Sequence, residues 1–124
     1  MINVLILDDE PAITETVKAC LEDKGLAVRT SLTSEDARRA IEQQPPQLVL
    51  LDIKLKEADG LEVLKWMKRH HPAIQVIVLT GVDIETIQPE LKQLGALAVI
   101  HKPVSIPELQ RQILVMADKF TTAT

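Results

Sequence analysis

Aromatic residues are nearly missing from this sequence of 124 residues, which has one Phe, one Trp and no Tyr. That leaves no stacking platform for bases, and no run of Lys and Arg is long enough to track a phosphate backbone. With a formal net charge of -4 as well, direct nucleic-acid binding by this chain is not expected. The single cysteine, Cys20, excludes an intramolecular disulfide and an all-cysteine metal site. It falls in an apolar helical pattern and reads as a small buried hydrophobe. No apolar run approaches the ~20 residues needed to cross a bilayer. Met1-Ile2-Asn3-Val4 enters a strand without a basic flank or signal-type apolar stretch, so a cytoplasmic location and no membrane partner are expected. No Gly-rich loop follows the first aliphatic run, which removes P-loop and dinucleotide-binding readings.

What is present suits one soluble globular domain, with 46% hydrophobic and 26% charged residues. The organising stretch is Gln47-Leu48-Val49-Leu50-Leu51-Asp52. Its four large aliphatic residues in a row lack polar alternation, as in a strand covered on both faces. Similar compact runs occur at Ile2–Leu7, Leu26–Thr30, Ile74–Leu79 and Leu97–Ile100.

Helical spacing appears between the runs. Pro11 suits a first turn, Ile13, Val17, Cys20 and Leu21 follow, and Gly25 is a stop. Thr33 caps a second helix, with Asp36 as a partial capping box, and Pro45-Pro46 ends it. Leu61, Leu64 and Met67 mark a third, ending at Arg69-His70-His71-Pro72. A fourth helix spans Asp83 to Leu94, and Pro89 is expected to kink, split or delay it, because it frees the carbonyl of Glu85. Ser105 and Glu108 form a full capping box for a fifth, before a polar stretch from Asp118 to Thr124. Five strands alternating with five helices predict an α/β fold with one doubly wound parallel sheet, strand order 2-1-3-4-5, helices on both faces.

In open parallel sheets ligands gather outside the carboxyl ends of the strands, at the switch point. The switch point of this order lies between the first and third strands, the two that end in aspartates. Four strand ends then bring together Asp8 and Asp9, Asp52, Thr80 and Lys102. Crowded carboxylates repel, and a few carboxylates plus water favour Mg²⁺ over a full calcium cage. An ammonium and a hydroxyl beside them suit phosphoryl chemistry, with Asp52 as an aspartyl nucleophile.

The motifs Leu7-Asp8-Asp9-Glu10, Leu50-Leu51-Asp52, Asp59-Gly60, Leu79-Thr80-Gly81, Leu94-Gly95-Ala96 and Lys102-Pro103 occur in this order. Together they resemble a response-regulator receiver domain, from Ile2 to about Phe120. The resemblance implies a flavodoxin-like receiver fold over residues 1–120, with a polar tail at 121–124. It further implies that Asp52 accepts a phosphoryl group from a sensor histidine kinase or histidine phosphotransfer protein. Asp9, Asp52 and the carbonyl of Lys54 would hold Mg²⁺, Asp8 would orient water on it, Lys102 would pair with the phosphoryl group, and Thr80 would swing toward it. The Lys102–Pro103 bond is expected to be cis. On this reading the chain is a regulatory domain that catalyses only its own phosphorylation and dephosphorylation. Its output partner, and whether it dimerises on phosphorylation, are not specified by these motifs.

Four departures from the family pattern stand out. Val99 occupies the usual aromatic-switch position, so output is expected to run through the loop after Thr80 and the Pro89-containing helix. Leu55-Lys56 replaces the common Met-Pro. Lys54 and Val82 flank the route of an attacking water, and Val82 cannot orient it, so a long-lived acyl phosphate is expected. Pro89 itself sits in a helix that commonly faces partners.

Plainer roles exist for individual residues. Asp9 could cap the first helix, His70 and His71 suit a helix C-terminus better than a metal, His101 a strand end, and Trp66 partial exposure. Two other functions compete: a Mg²⁺-dependent aspartyl phosphatase or phosphotransferase, and a receiver-like docking module that is never phosphorylated. Against the first, the opening strand lacks an Asp-x-Asp pattern and no cap insertion is present.

Overall fold

Strand character follows the aliphatic runs closely. The computed structural model describes residues 2–53, 60–80, 84–101 and 105–122. Its elements are β1 (Asn3–Leu7), α1 (Pro11–Glu22), β2 (Ala27–Ser31), α2 (Ser34–Gln43), β3 (Leu48–Asp52), α3 (Gly60–His70), β4 (Gln75–Thr80), α4 (Ile84–Gln93), β5 (Ala98–His101) and α5 (Ile106–Thr122). The strands pair in parallel in the order β2-β1-β3-β4-β5, as expected from the alternation of strands and helices. All of β3 is buried, because it is central and both of its faces are covered.

Period-two alternation sorts the strand residues into two cores. Leu5, Leu7, Val49, Leu51, Val76 and Val78 pack with α2, α3 and α4 through Ala37, Ile41, Val63, Leu64, Met67 and Leu91. Val4, Ile6, Leu48, Leu50, Ile77 and Leu79 pack with α1 and α5 through Val17, Leu21, Leu109 and Ile113. Two helices therefore cover one face and three the other. Among the described residues no helix is long and apolar enough to cross a membrane.

Local signals set most boundaries. Pro11 opens α1, and Gly25 turns the chain after it at φ 90°. The Thr33 side chain accepts from the Asp36 amide at 3.2 Å. Arg29 on β2 donates to the carbonyls of Ala40 and Gln44, closing the C-terminal end of α2.

Four expectations need correction. Of the outcomes expected of Pro89, a kink, a split or a late start, the split does not occur: α4 runs unbroken from Ile84 to Gln93 with Pro89 inside it. Packing of Leu91 into the core and the single ladder bond that proline removes explain why the helix survives. The polar stretch after Asp118 is helical through Thr122. Cys20 is only partly buried, and its carbonyl accepts from the Gln110 side chain at 2.9 Å, joining α1 to α5. The capping box at α5 is half as expected: the Glu108 amide donates to Ser105 Oγ at 3.3 Å, but the Glu108 carboxylate turns forward to Arg111 and Gln112.

Those donors, Arg111 first and Gln112 second, push the Glu108 carboxyl down to about 2 from 4.5. A depressed carboxyl contributes stability above its unfolded value and loses it as pH falls from about 4.5 toward 2. The pair is exposed, so its contribution is screened and small. An NMR titration of Glu108 is expected to give a midpoint near 2, and Arg111→Ala should return it toward the ordinary carboxylate range. A wild-type midpoint in that ordinary range would show that the pair does not persist in solution.

Trp66 is partly buried and packs against the α2–α3–α4 core. The Arg38 guanidinium lies over its ring at 5.7 Å, and the rings of His70 and His71 stand 5.6 and 5.5 Å away. The two histidines thus have an aromatic neighbour at the end of α3.

Candidate functional site

Because β1 and β3 are neighbours, with Leu7 opposite Leu51, the residues that follow them emerge side by side at the carboxyl edge of the sheet. Connections leave this point toward opposite sides, β2 outside β1 and β4 outside β3. Asp8, Asp9, Glu10 and Asp52 each place a carboxylate oxygen there, and these oxygens all lie within 4.8 Å of one another. Asp8 and Asp52 are buried, at 1% and 5% exposure, Asp9 is partly buried and Glu10 is exposed.

Backbone bonds hold the turn that carries Asp8 and Glu10 in place. The Asp8 amide donates to the Ser31 carbonyl at 3.2 Å, extending the β1–β2 ladder past its last pair. Asp8 Oδ1 accepts the Glu10 amide at 3.0 Å, an Asx-type turn that folds the chain back into α1. The N-cap of α1 is Glu10, without a side-chain cap bond, so capping does not account for Asp9.

Asp52 ends β3 opposite Leu79. The Ile53 amide then donates to the Leu79 carbonyl at 3.1 Å, and the Ile53 carbonyl accepts the Gly60 amide at 3.1 Å. Gly60, the first residue of α3, presses directly on this backbone. A Cβ there would lie 2.6 Å from Ile53 Cα and 2.9 Å from the Asp52 carbonyl oxygen. Glycine is therefore required for α3 to start against the strand that carries Asp52.

Of the residues expected to act here, Asp8, Asp9 and Asp52 are brought together. Thr80 ends β4 beside His101, which puts its backbone at the same edge; its side chain is outside what is described. Lys54, Lys102 and the Lys102–Pro103 bond lie outside the described residues, as do Val82, Leu55 and Lys56. Val99 is partly buried and packs against the core. Two residues of this edge were not singled out by sequence reasoning. Glu10 joins the acidic set, and Gly60 packs under Asp52. The first was signalled only by its place after the aspartate pair, the second by a turn motif that suits any helix start.

Four carboxylates so close repel strongly, by roughly 1 to 3 kcal/mol per pair depending on the effective dielectric. An all-oxygen donor set carrying this much negative charge fits a hard divalent cation. The two most buried acids sit at the back of the set and the two more exposed ones at its mouth.

The family profile described as "Response regulator receiver domain" matches residues 4–114. The nitrogen assimilation regulatory protein NtrX of Azorhizobium caulinodans is 39% identical over 110 residues, covering 86% of this chain and 24% of that protein. The alginate biosynthesis transcriptional regulatory protein AlgB of Pseudomonas aeruginosa is 34% identical over 108 residues, covering 87% of this chain and 24% of that protein. The chain thus spans about a quarter of the length of the curated relatives it matches. Among solved structures, a CheY-like response regulator receiver domain protein from Methanospirillum hungatei superposes with a TM-score of 0.90 at 30% identity, covering 100% of this chain and 99% of that one. NtrX from Brucella abortus gives 0.84 at 33% identity over 98% of this chain and 27% of that one.

Proposed function

This chain belongs to the response-regulator receiver family of two-component systems, and from that premise we propose that it is a phosphorylation-controlled switch whose phosphoacceptor is Asp52. The observation that carries the proposal is the gathering of Asp8, Asp9 and Asp52 within 4.8 Å at the switch point of the sheet. A buried carboxylate beside two others is where a divalent cation would be held against an incoming phosphoryl group, and the cation would offset the charge of both.

In the proposed step an Asp52 carboxylate oxygen attacks the phosphorus of a phosphohistidine on a sensor kinase or phosphotransfer protein. The P–N bond breaks, the imidazole leaves with its electron pair and takes up a proton, and Asp52 becomes an acyl phosphate. Asp9 and Asp52, with the Lys54 carbonyl, would hold Mg²⁺, and Asp8 would orient water beside it. When bound, the cation supplies positive charge to the phosphoryl oxygens. Lys102 is assigned the second positive charge and Thr80 the hydroxyl that closes on the modified aspartate. Residues 1–120 are proposed as the receiver unit. Its output is proposed to be a further region or separate protein whose engagement depends on the state of Asp52.

Incubation with acetyl phosphate and Mg²⁺ tests this reading, with intact mass as the readout. Wild type is expected to gain one phosphoryl group that alkali removes, and Asp52→Ala none. Multiple turnover on a small phosphate ester would support a phosphatase instead. An unchanged wild-type mass with every phosphoryl donor would leave only a docking module.

A further inference from the structure

We propose that Glu10 is a specificity-determining residue of the Asp52 site, an outer carboxylate that makes the site select cations by charge. The inference rests on the metal-site reading above, for which the family match gives the independent reason to expect a cation.

Among the described residues, no hydrogen bond or ion pair occupies the carboxylate of Glu10. Glu10 is the N-cap of α1, yet its side chain makes no cap bond. Among the described residues only its main chain is engaged, the amide with Asp8 Oδ1 at 3.0 Å and the carbonyl with the Thr14 amide at 3.1 Å. Among the described residues no ion pair involves it, and its side chain is exposed. A solvated glutamate at a helix start can direct its carboxylate away from neighbouring acids. This one instead has an oxygen within 4.8 Å of those of Asp8, Asp9 and Asp52. Pro11 keeps the residue before it out of the helical region, and Glu10 is extended at φ −105° and ψ 99°, so the turn sets the direction in which its Cβ leaves the chain.

A fourth negative charge at the mouth of such a set acts on ions by their charge. Attraction to a cation at about 5 Å, in water with physiological salt, amounts to about fivefold in affinity for a divalent ion and more than tenfold for a trivalent one. Oxygen sites rich in flexible carboxylates also admit larger ions that take more ligands. Glu10 should therefore favour a trivalent ion over Mg²⁺ and lessen the preference of the site for a small one.

The test is a titration of amide NMR shifts at residues 8–10 and 52–53 with MgCl₂ and, separately, LaCl₃. It compares wild type, Glu10→Gln and Glu15→Gln. The glutamine keeps the shape and the main-chain bonds, and Glu15, also exposed on α1, controls for net charge. Glu10→Gln is expected to weaken Mg²⁺ about fivefold and La³⁺ more than tenfold, and Glu15→Gln to change either less than about twofold. Equal affinities in wild type and Glu10→Gln would overturn the role of Glu10 alone, as would an equal loss in Glu15→Gln. A wild-type protein that binds neither ion would overturn the metal site itself.

Discussion

Gly60→Ala is expected to destabilise the protein by about 3 kcal/mol and to slow phosphorylation of Asp52 even where the variant is folded. The added methyl carbon would meet Ile53 Cα and its carbonyl oxygen at 2.6 Å, and the Asp52 carbonyl oxygen at 2.9 Å. These are main-chain atoms of the buried end of β3, tied by the Ile53 amide to Leu79, so no flexible side chain can yield. Alanine is the better helix former by about 1 kcal/mol, which does not offset a backbone clash. Either α3 retreats, opening the packing of Val63, Leu64 and Met67, or the Asp52–Ile53 segment shifts. Urea unfolding would show a lower midpoint with an unchanged slope, and thermal unfolding a fall of roughly 10 °C. Thermal stability equal to wild type would show that the contact is relaxed in solution.

Asp9→Asn should have the opposite sign. In chelator-containing buffer the variant is expected to be more stable than wild type by about 1 to 2 kcal/mol, or roughly 4 to 8 °C. The four acids lie within 4.8 Å of one another, and even one neighbouring ammonium would leave surplus negative charge. Removing a single carboxylate relieves its repulsion with three others. Added Mg²⁺ should then raise the melting temperature of wild type, because ligand binding to the native state stabilises it, and raise that of Asp9→Asn much less. Salt should narrow the chelator-buffer difference, since Asp9 is partly exposed and its interactions are screened. A less stable Asp9→Asn protein would mean that Asp9 holds the turn rather than straining it. The same pattern fits a site whose geometry serves function at a cost to the resting fold.

Sequence reasoning recovered the parts of this molecule that depend on near neighbours. The apolar run before Asp52 became a wholly buried central strand, Pro11 and Thr33 opened the helices they were expected to open, and Gly25 took a positive φ. Pro89 did not split its helix, one of the outcomes its local penalty suggested, because Leu91, two residues on, packs into the core. Glu108 misled because two local partners, Arg111 and Gln112, compete with the cap for one carboxylate.

By itself the sequence determined the order and type of the elements, the two-faced burial of the sheet and the acids at its strand ends. Those follow from side-chain periodicity, turn chemistry and a handedness rule, all of which act over a few residues or one crossover. Only the tertiary structure decided that Glu10 belongs to the acidic set and that Gly60 must be glycine beneath Asp52. Each is a matter of a few ångströms between segments some 40 or 7 residues apart in the chain, a closeness created when strands pair and helices dock, and one that no local pattern records.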